Sequence, residues 1–264
     1  MHKLFVRHAL LLIGGLAVAL NVRAGDAIST DRPGVAESAD VVRAGGVQLE
    51  TGLGFERDSK GAATTRTRST PTLLRFGLGH NLEARVETDG FMHARTDEAG
   101  GLTTTGFADT SLGNKWRSSE VDELAGTPST AWLLHVDLDS GSAAFRGTGK
   151  RPSIRYVADW GLPNGWDLTV MPGLVRDSDD DGQRYTGGIF AVSASTDLGS
   201  GLKGSVELAL PRIAPAAHGG TQVSFDAGLT YALGTEMQLD LAVQRGLNKN
   251  TADWAFGLGF SVRF

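Results

Sequence analysis

The chain of 264 residues contains no cysteine, which excludes disulfide bracing and thiolate chemistry. It has no apolar run near the ~18 residues that a membrane-spanning helix needs. The longest, Ala9 to Leu20, is too short, so a helical anchor is excluded. Basic excess is missing too. The formal charge is −5, which argues against a nucleic-acid partner, because phosphates call for a basic face. Mean hydropathy is only −0.11, yet that leaves a membrane open, because in a barrel only alternate residues meet lipid. Glycine is abundant, at 36, which suits turns and closely approaching strands.

The start of the chain reads as a secretory signal peptide, residues 1–24. Lys3 and Arg7 precede the apolar run, and Asn21-Val22-Arg23-Ala24 puts small residues before a cleavage point after Ala24. Loss of Lys3, Arg7 and Arg23 takes the formal charge from −5 to near −8. Residues 25–46 hold Asp31-Arg32-Pro33-Gly34 and few large apolar side chains, and read as a non-strand arm, periplasmic or plug-like.

From residue 47 to 264 the pattern is that of strands. The last one is the clearest. Trp254, Phe256, Leu258, Phe260, Val262 and Phe264 alternate with Ala255, Gly257, Gly259, Ser261 and Arg263. Successive strand side chains point to opposite faces, so this segment has one apolar face and one small or polar face. A spanning barrel strand needs about 9–11 such residues. Phe260, Val262 and Phe264 form a terminal aromatic signature of the kind that barrel-assembly machinery receives. A soluble β-sandwich also alternates and is the competing reading.

Eleven further strands follow the same rule, with Pro71 predicting a bulge in the second and the phase near 184–196 ambiguous because both faces are apolar in places. Links near 79–81, 162–165, 199–201 and 233–235 are short. Those near 58–64, 92–105, 140–150, 177–183, 211–220 and 246–252 are mostly longer and more polar. The link near 118–129 is long where a short one belongs. Short turns on one side and long loops on the other predict an all-β, transmembrane up-and-down antiparallel β-barrel of about twelve strands in the bacterial outer membrane.

Thr30-Asp31-Arg32-Pro33 with Glu37-Ser38, Val47-Gln48-Leu49-Glu50-Thr51-Gly52, Thr72-Leu73-Leu74-Arg75-Phe76-Gly77-Leu78 before Asn81-Leu82-Glu83, and Asp109-Thr110-Ser111-Leu112-Gly113 with Lys115-Trp116 recur in order. Across essentially the whole mature chain they resemble the outer-membrane transporter proteins grouped with the meta-pathway of phenol degradation. The resemblance implies a barrel and uptake of small, often aromatic, compounds. It carries no catalytic or ligand residues.

The alternation predicts a charged lumen. Glu83, Arg85, Glu87, Lys115, Arg117 and Asp137 should point inward, as should Arg155, Asp159, Lys203, Glu207, Asp226 and Asp240, with Glu50, Arg75, Asp167 and Arg263 beside them. About eight strands enclose a filled interior and about 16–18 an open channel. Twelve leaves two readings, a substrate path for small-molecule cargo or a paired plug. Asp177, Asp179 and Asp181 match the first half of a calcium loop, but Gly188 stands where the bidentate Glu belongs, so a solvated acidic loop is preferred. His135 and Asp137 share a face and could serve an enzyme acting on lipid or peptide, although no serine stands in a nucleophile motif. Trp116, Trp132, Trp160, Trp166 and Trp254 near strand ends predict an aromatic girdle against membrane lipid. No pattern calls for a cofactor.

Overall fold

The computed structural model describes residues 27–60, 63–97, 101–122, 126–179 and 181–264. The signal-peptide segment 1–24 lies outside them. Fifteen strands occur in order: β1 (Val47–Lys60), β2 (Ala63–Ser69), β3 (Thr72–Gly77), β4 (Leu82–Thr88), β5 (Phe91–Asp97), β6 (Leu102–Phe107), β7 (Thr110–Ser119), β8 (Ser129–Asp137), β9 (Arg151–Gly161), β10 (Trp166–Ser178), β11 (Arg184–Gly199), β12 (Leu202–Ile213), β13 (Ser224–Ala232), β14 (Met237–Gly246) and β15 (Trp254–Arg263). Twelve of them, β1, β3, β4 and β7 to β15, form a closed antiparallel ring sealed by β15 on β1. Gln48 stands opposite Arg263 at that seam, and Arg57 opposite Trp254.

The remaining strands β2, β5 and β6 continue β3, β4 and β7 past a crease and add to the upper part of β1. Pro71 interrupts the first, as its missing donor predicts. Asp89-Gly90 interrupts the second. Gly90 has φ of 67°, and a Cβ there would lie 2.3 Å from the Thr70 carbonyl oxygen, so only glycine fits the crease. This three-stranded extension corrects the loops expected at 58–64 and 92–105. Its strands are rich in Thr and Arg, with Thr65 hydroxyl-bonded to Thr96 at 2.9 Å. Backbone ladders and such cross-strand pairs hold them without an apolar face, so no hydrophobic alternation announces them.

Burial is inverted relative to a water-soluble protein. Gln48, Glu50, Arg75, Glu83, Arg85, Lys115 and Glu207 are buried, while Leu53, Phe55, Leu134, Leu241, Phe256 and Leu258 are exposed on the outer face. That arrangement removes the sandwich reading, since only lipid accepts such an outer surface. Trp116, Trp132, Trp160 and Trp166 gather at the end of the barrel that carries the short turns, with Trp132 against Tyr156 at 4.8 Å, and Trp254 marks the opposite end. The chain is an outer-membrane barrel.

Candidate functional site

Residues 27–46 form no strand and lie inside the ring. Their backbone explains why. Asp31 to Val42 contain amides that no strand satisfies, and wall carboxylates accept them in turn. Glu50 accepts from the Asp31 and Arg32 amides at 3.0 and 3.2 Å, and Glu207 from those of Val35 and Ala36 at 2.7 and 2.8 Å. Asp159 accepts from Ala39 at 2.6 Å and Glu83 from Val42 at 2.7 Å. The arm thus runs across the lumen along a line of acidic wall residues. At its ends, the Ile28 amide donates to the Thr235 carbonyl and the Gly45 amide to the Gly77 carbonyl.

The arm's own acids hold the wall's cations. The Asp31 carboxylate takes Arg85 Nη1 at 2.7 Å, Lys115 Nζ at 2.8 Å and Arg75 Nη1 at 3.3 Å. Glu37 takes Arg85 Nη2 at 2.7 Å and also Arg155. Burial pushes the Asp31 carboxyl up, but Arg75, Lys115 and Arg85 overcome it and hold it well below the usual range. A carboxylate lowered in this way contributes its full grip above its ordinary pKa and loses it only on acidification past the depressed one. Within this cluster of Asp31, Glu37, Arg75, Arg85 and Lys115 each charge meets an opposite one, the condition under which buried charges persist.

Arg32 reaches the other side of the lumen, donating from Nε and Nη2 to Asp240 at 3.2 and 3.1 Å. It rests on the seam, where the inner face is glycine. A Cβ at Gly52 would sit 2.8 Å from Arg32 Nη2, and one at Gly259 would sit 2.5 Å from its Nε and 2.1 Å from Asp240 Oδ2. The small inner face of the last strand makes room for this side chain. Gly259→Leu is therefore expected to eject Arg32 and free the front of the arm, seen as faster proteolysis between residues 27 and 35 in an otherwise intact barrel.

The lumen has two unlike halves. On β1, β3, β4 and β7 it presents Glu50, Arg75, Glu83, Arg85 and Lys115. On β8 to β12 it presents Ala131, Leu133, Val157, Met171, Ala191 and Ala209, against which Val35, Ala36 and Ala39 of the arm pack. This apolar track is absent from the sequence expectation. The ambiguous phase near 184–196 is its one visible sign, and the inward residues there are Tyr185, Gly187, Ile189, Ala191, Ser193 and Ser195. Between the arm and β9 to β14 a cavity of about 520 Å³ is lined by hydroxyls such as Thr169, Ser193, Ser195 and Ser205, with Asp167, Lys203 and Asp226.

Of the predicted lumen residues, Glu83, Arg85, Lys115, Arg155, Asp159, Glu207 and Asp240 converge on the arm. Arg117 meets the arm only at the short-turn rim, 3.8 Å from Asp40 and 3.0 Å from Glu120. Others do not reach it. Lys203 pairs with Asp167 at 2.6 Å. Asp226 lies opposite Glu207 across β12 and β13. Asp137 is near the far rim, 3.9 Å from Arg151, and Glu87 is 3.7 Å from His135 Nδ1. His135 hydrogen-bonds neither Asp137 nor a serine among the described residues, and its Nε2 has no partner there. Phe260, Val262 and Phe264 run down the outer side of β15 to the seam, where the Phe264 amide donates to the Val47 carbonyl at 2.8 Å.

At the far rim the loops knit together. Asp109 accepts from the Gly141 and Gly147 amides at 2.8 and 2.9 Å and from Arg151 at 2.7 Å. Burial raises the Asp109 carboxyl, but these donors bring it below the usual range. Asp177 accepts from the Tyr185 hydroxyl at 3.0 Å, and Asp179 contacts His218 Nδ1 at 3.2 Å while accepting from the Gln183 amide. Tyr185 and His218 stack at 4.3 Å. Asp180 lies outside the described residues, and among the described residues no three metal-ligating side chains converge.

Residues 30–264 match the family described as "Putative MetA-pathway of phenol degradation". The chain belongs to that family. No curated protein matches the sequence. Among solved structures, this family member is similar to an outer membrane channel from Pseudomonas putida F1, with 12% identity over 88% of this chain and 99% of that one and a TM-score of 0.63. It is also similar to the beta domain of the Bordetella autotransporter BrkA, with 15% identity over 83% of this chain and 100% of that one and a TM-score of 0.56. At such identities the likeness is one of fold.

Proposed function

We propose that this barrel passes small organic compounds, aromatic ones among them, through the outer membrane, with residues 25–46 as its gate. One observation carries the reading. The lumen is crossed by a segment of chain, held to the wall by hydrogen bonds, ion pairs and apolar contacts, all of them reversible.

With the arm withdrawn, a solute meets Leu133, Val157 and Met171 on one side and Arg75, Arg85 and Lys115 on the other. An aromatic ring bearing a hydroxyl or carboxylate fits such a wall, ring to the apolar track and polar group to the cations. The family's association with phenol degradation and the description of the Pseudomonas putida protein as a channel agree with this reading. It makes the chain a conduit.

The test is planar-bilayer recording of the refolded mature protein with and without small aromatic acids. Stepwise openings that one such compound blocks are expected. A stably inserted barrel that stays silent, both intact and without its arm, would overturn the proposal.

A further inference from the structure

The outward face of the seam carries a concentration of arginine. Strand registers set Arg245 opposite Trp254, Trp254 opposite Arg57, Arg57 opposite Arg66 and Arg66 opposite Arg95, a single row across β14, β15, β1, β2 and β5. The next row toward the middle of the barrel is Val243, Phe256, Phe55, Arg68 and His93, and the one after it begins Leu241, Leu258, Leu53. Cross-strand neighbours share a face and stand roughly 4.5–5.5 Å apart.

These cations are poorly matched. Among the described residues Asp97 alone serves both Arg66 and Arg95, the latter at 3.3 Å. Arg245 lies 4.7 Å over the Trp254 ring and donates to the Asp253 carbonyl. Arg57 and Arg68 have no carboxylate partner among the described residues and are exposed. Like charges directly opposite one another weaken a sheet. The protein as a whole is acidic, at −5, so this row is a local feature rather than a reflection of composition.

Two observations say what covers it. The row continues directly into the lipid-facing belt, where Leu53, Phe256 and Leu258 are about half exposed, so its partner lies at the membrane surface and not in the lumen. It also stands at the end of the barrel away from the short turns and chain ends, hence toward the outer leaflet. Guanidinium groups grip phosphate in bidentate fashion, and Trp254, Phe55 and Phe256 supply the apolar surface for the first acyl carbons.

We propose that this face is a binding site for the phosphate groups of outer-leaflet lipopolysaccharide. The ligand is a phosphorylated lipid, held by Arg57, Arg66, Arg68 and Arg95 with Arg245 at the flank.

The test titrates the full mature barrel in detergent with purified lipopolysaccharide, with the same material after enzymatic dephosphorylation, and with inorganic phosphate. The wild type should bind the phosphorylated form, and Arg57→Gln, Arg66→Gln, Arg68→Gln and Arg95→Gln together should weaken that binding by on the order of a hundredfold. Asp97→Asn should tighten it. Heat-modifiable gel mobility confirms that each variant remains a barrel. Equal binding by wild type and the fourfold variant would overturn the proposal, as would equal binding of the dephosphorylated lipid. Saturation by inorganic phosphate at the same concentration would overturn it as well, replacing the lipid with a free anion.

Discussion

Asp31→Asn is expected to convert the closed barrel into one that opens frequently. Among the described residues Asp31 is the single carboxylate that touches Arg75, Arg85 and Lys115 at once, and all four groups are buried. Removing one partner of a buried ion pair costs about 3–5 kcal/mol, because the remaining charges lose their compensation. Glu50 and Glu83 still face Arg75, so the lower end applies. In the seated arm the cations that lose Asp31 stay buried, and withdrawal of the arm lets water reach them. The open state alone is thereby relieved. A difference of about 3 kcal/mol corresponds to an opening equilibrium shifted roughly a hundredfold. Single-channel recording reads this directly as open probability, and deletion of Gly25–Gly46 sets the ceiling. An Asp31→Asn barrel as quiet as the wild type, beside an arm deletion that conducts, would mean that the hold lies in the acidic wall line and not in this triad.

The reverse experiment should have an equally large effect. Cysteines at Gly34 and Glu207 are expected to lock the barrel shut on oxidation. A Cβ at Gly34 would lie 3.3 Å from Glu207 Cδ, so the two positions face each other across the arm and wall. The native chain has no cysteine, so nothing competes for the pair. Oxidised protein should show conductance at the level of an empty bilayer, and a reductant should restore it. Combined with Asp31→Asn, the lock should override the opening. Conductance that persists through a verified crosslink would show that solute passes beside the arm and that its withdrawal is not required.

Much of this architecture is legible in the residues, and the limits are physical. Strands such as β14 and β15 announce themselves because lipid on one side and a polar lumen on the other impose strict alternation from Met237 to Val243 and from Trp254 to Phe264. β5 and β6 do not, because backbone ladders and cross-strand threonine pairs hold them. Inward charges are readable one at a time, yet their partners are not: Arg32 and Asp240 are 208 residues apart, and only closure of the ring brings them together. The apolar track escapes for the opposite reason. In the strand containing Trp132 and Leu134, the apolar residues Ala131 and Leu133 occupy the face that the rule reserves for polar groups. The arm carried a trace of its role, since Asp31 and Glu37 belong to an ordered run of motifs inside a segment with no strand pattern.

The glycine floor under Arg32 has a consequence for assembly. Gly52 belongs to the first strand of the ring and Gly259 to the last, and Asp240 lies one strand further on. The seat exists only after first and last strands have met. A half-built sheet offers the arm nowhere to dock at this end, and a docked arm clasps the final joint from within. Protection of Arg32 from protease during biogenesis would then time the zipping of the seam, and the same short segment would serve as both bolt and proof of closure.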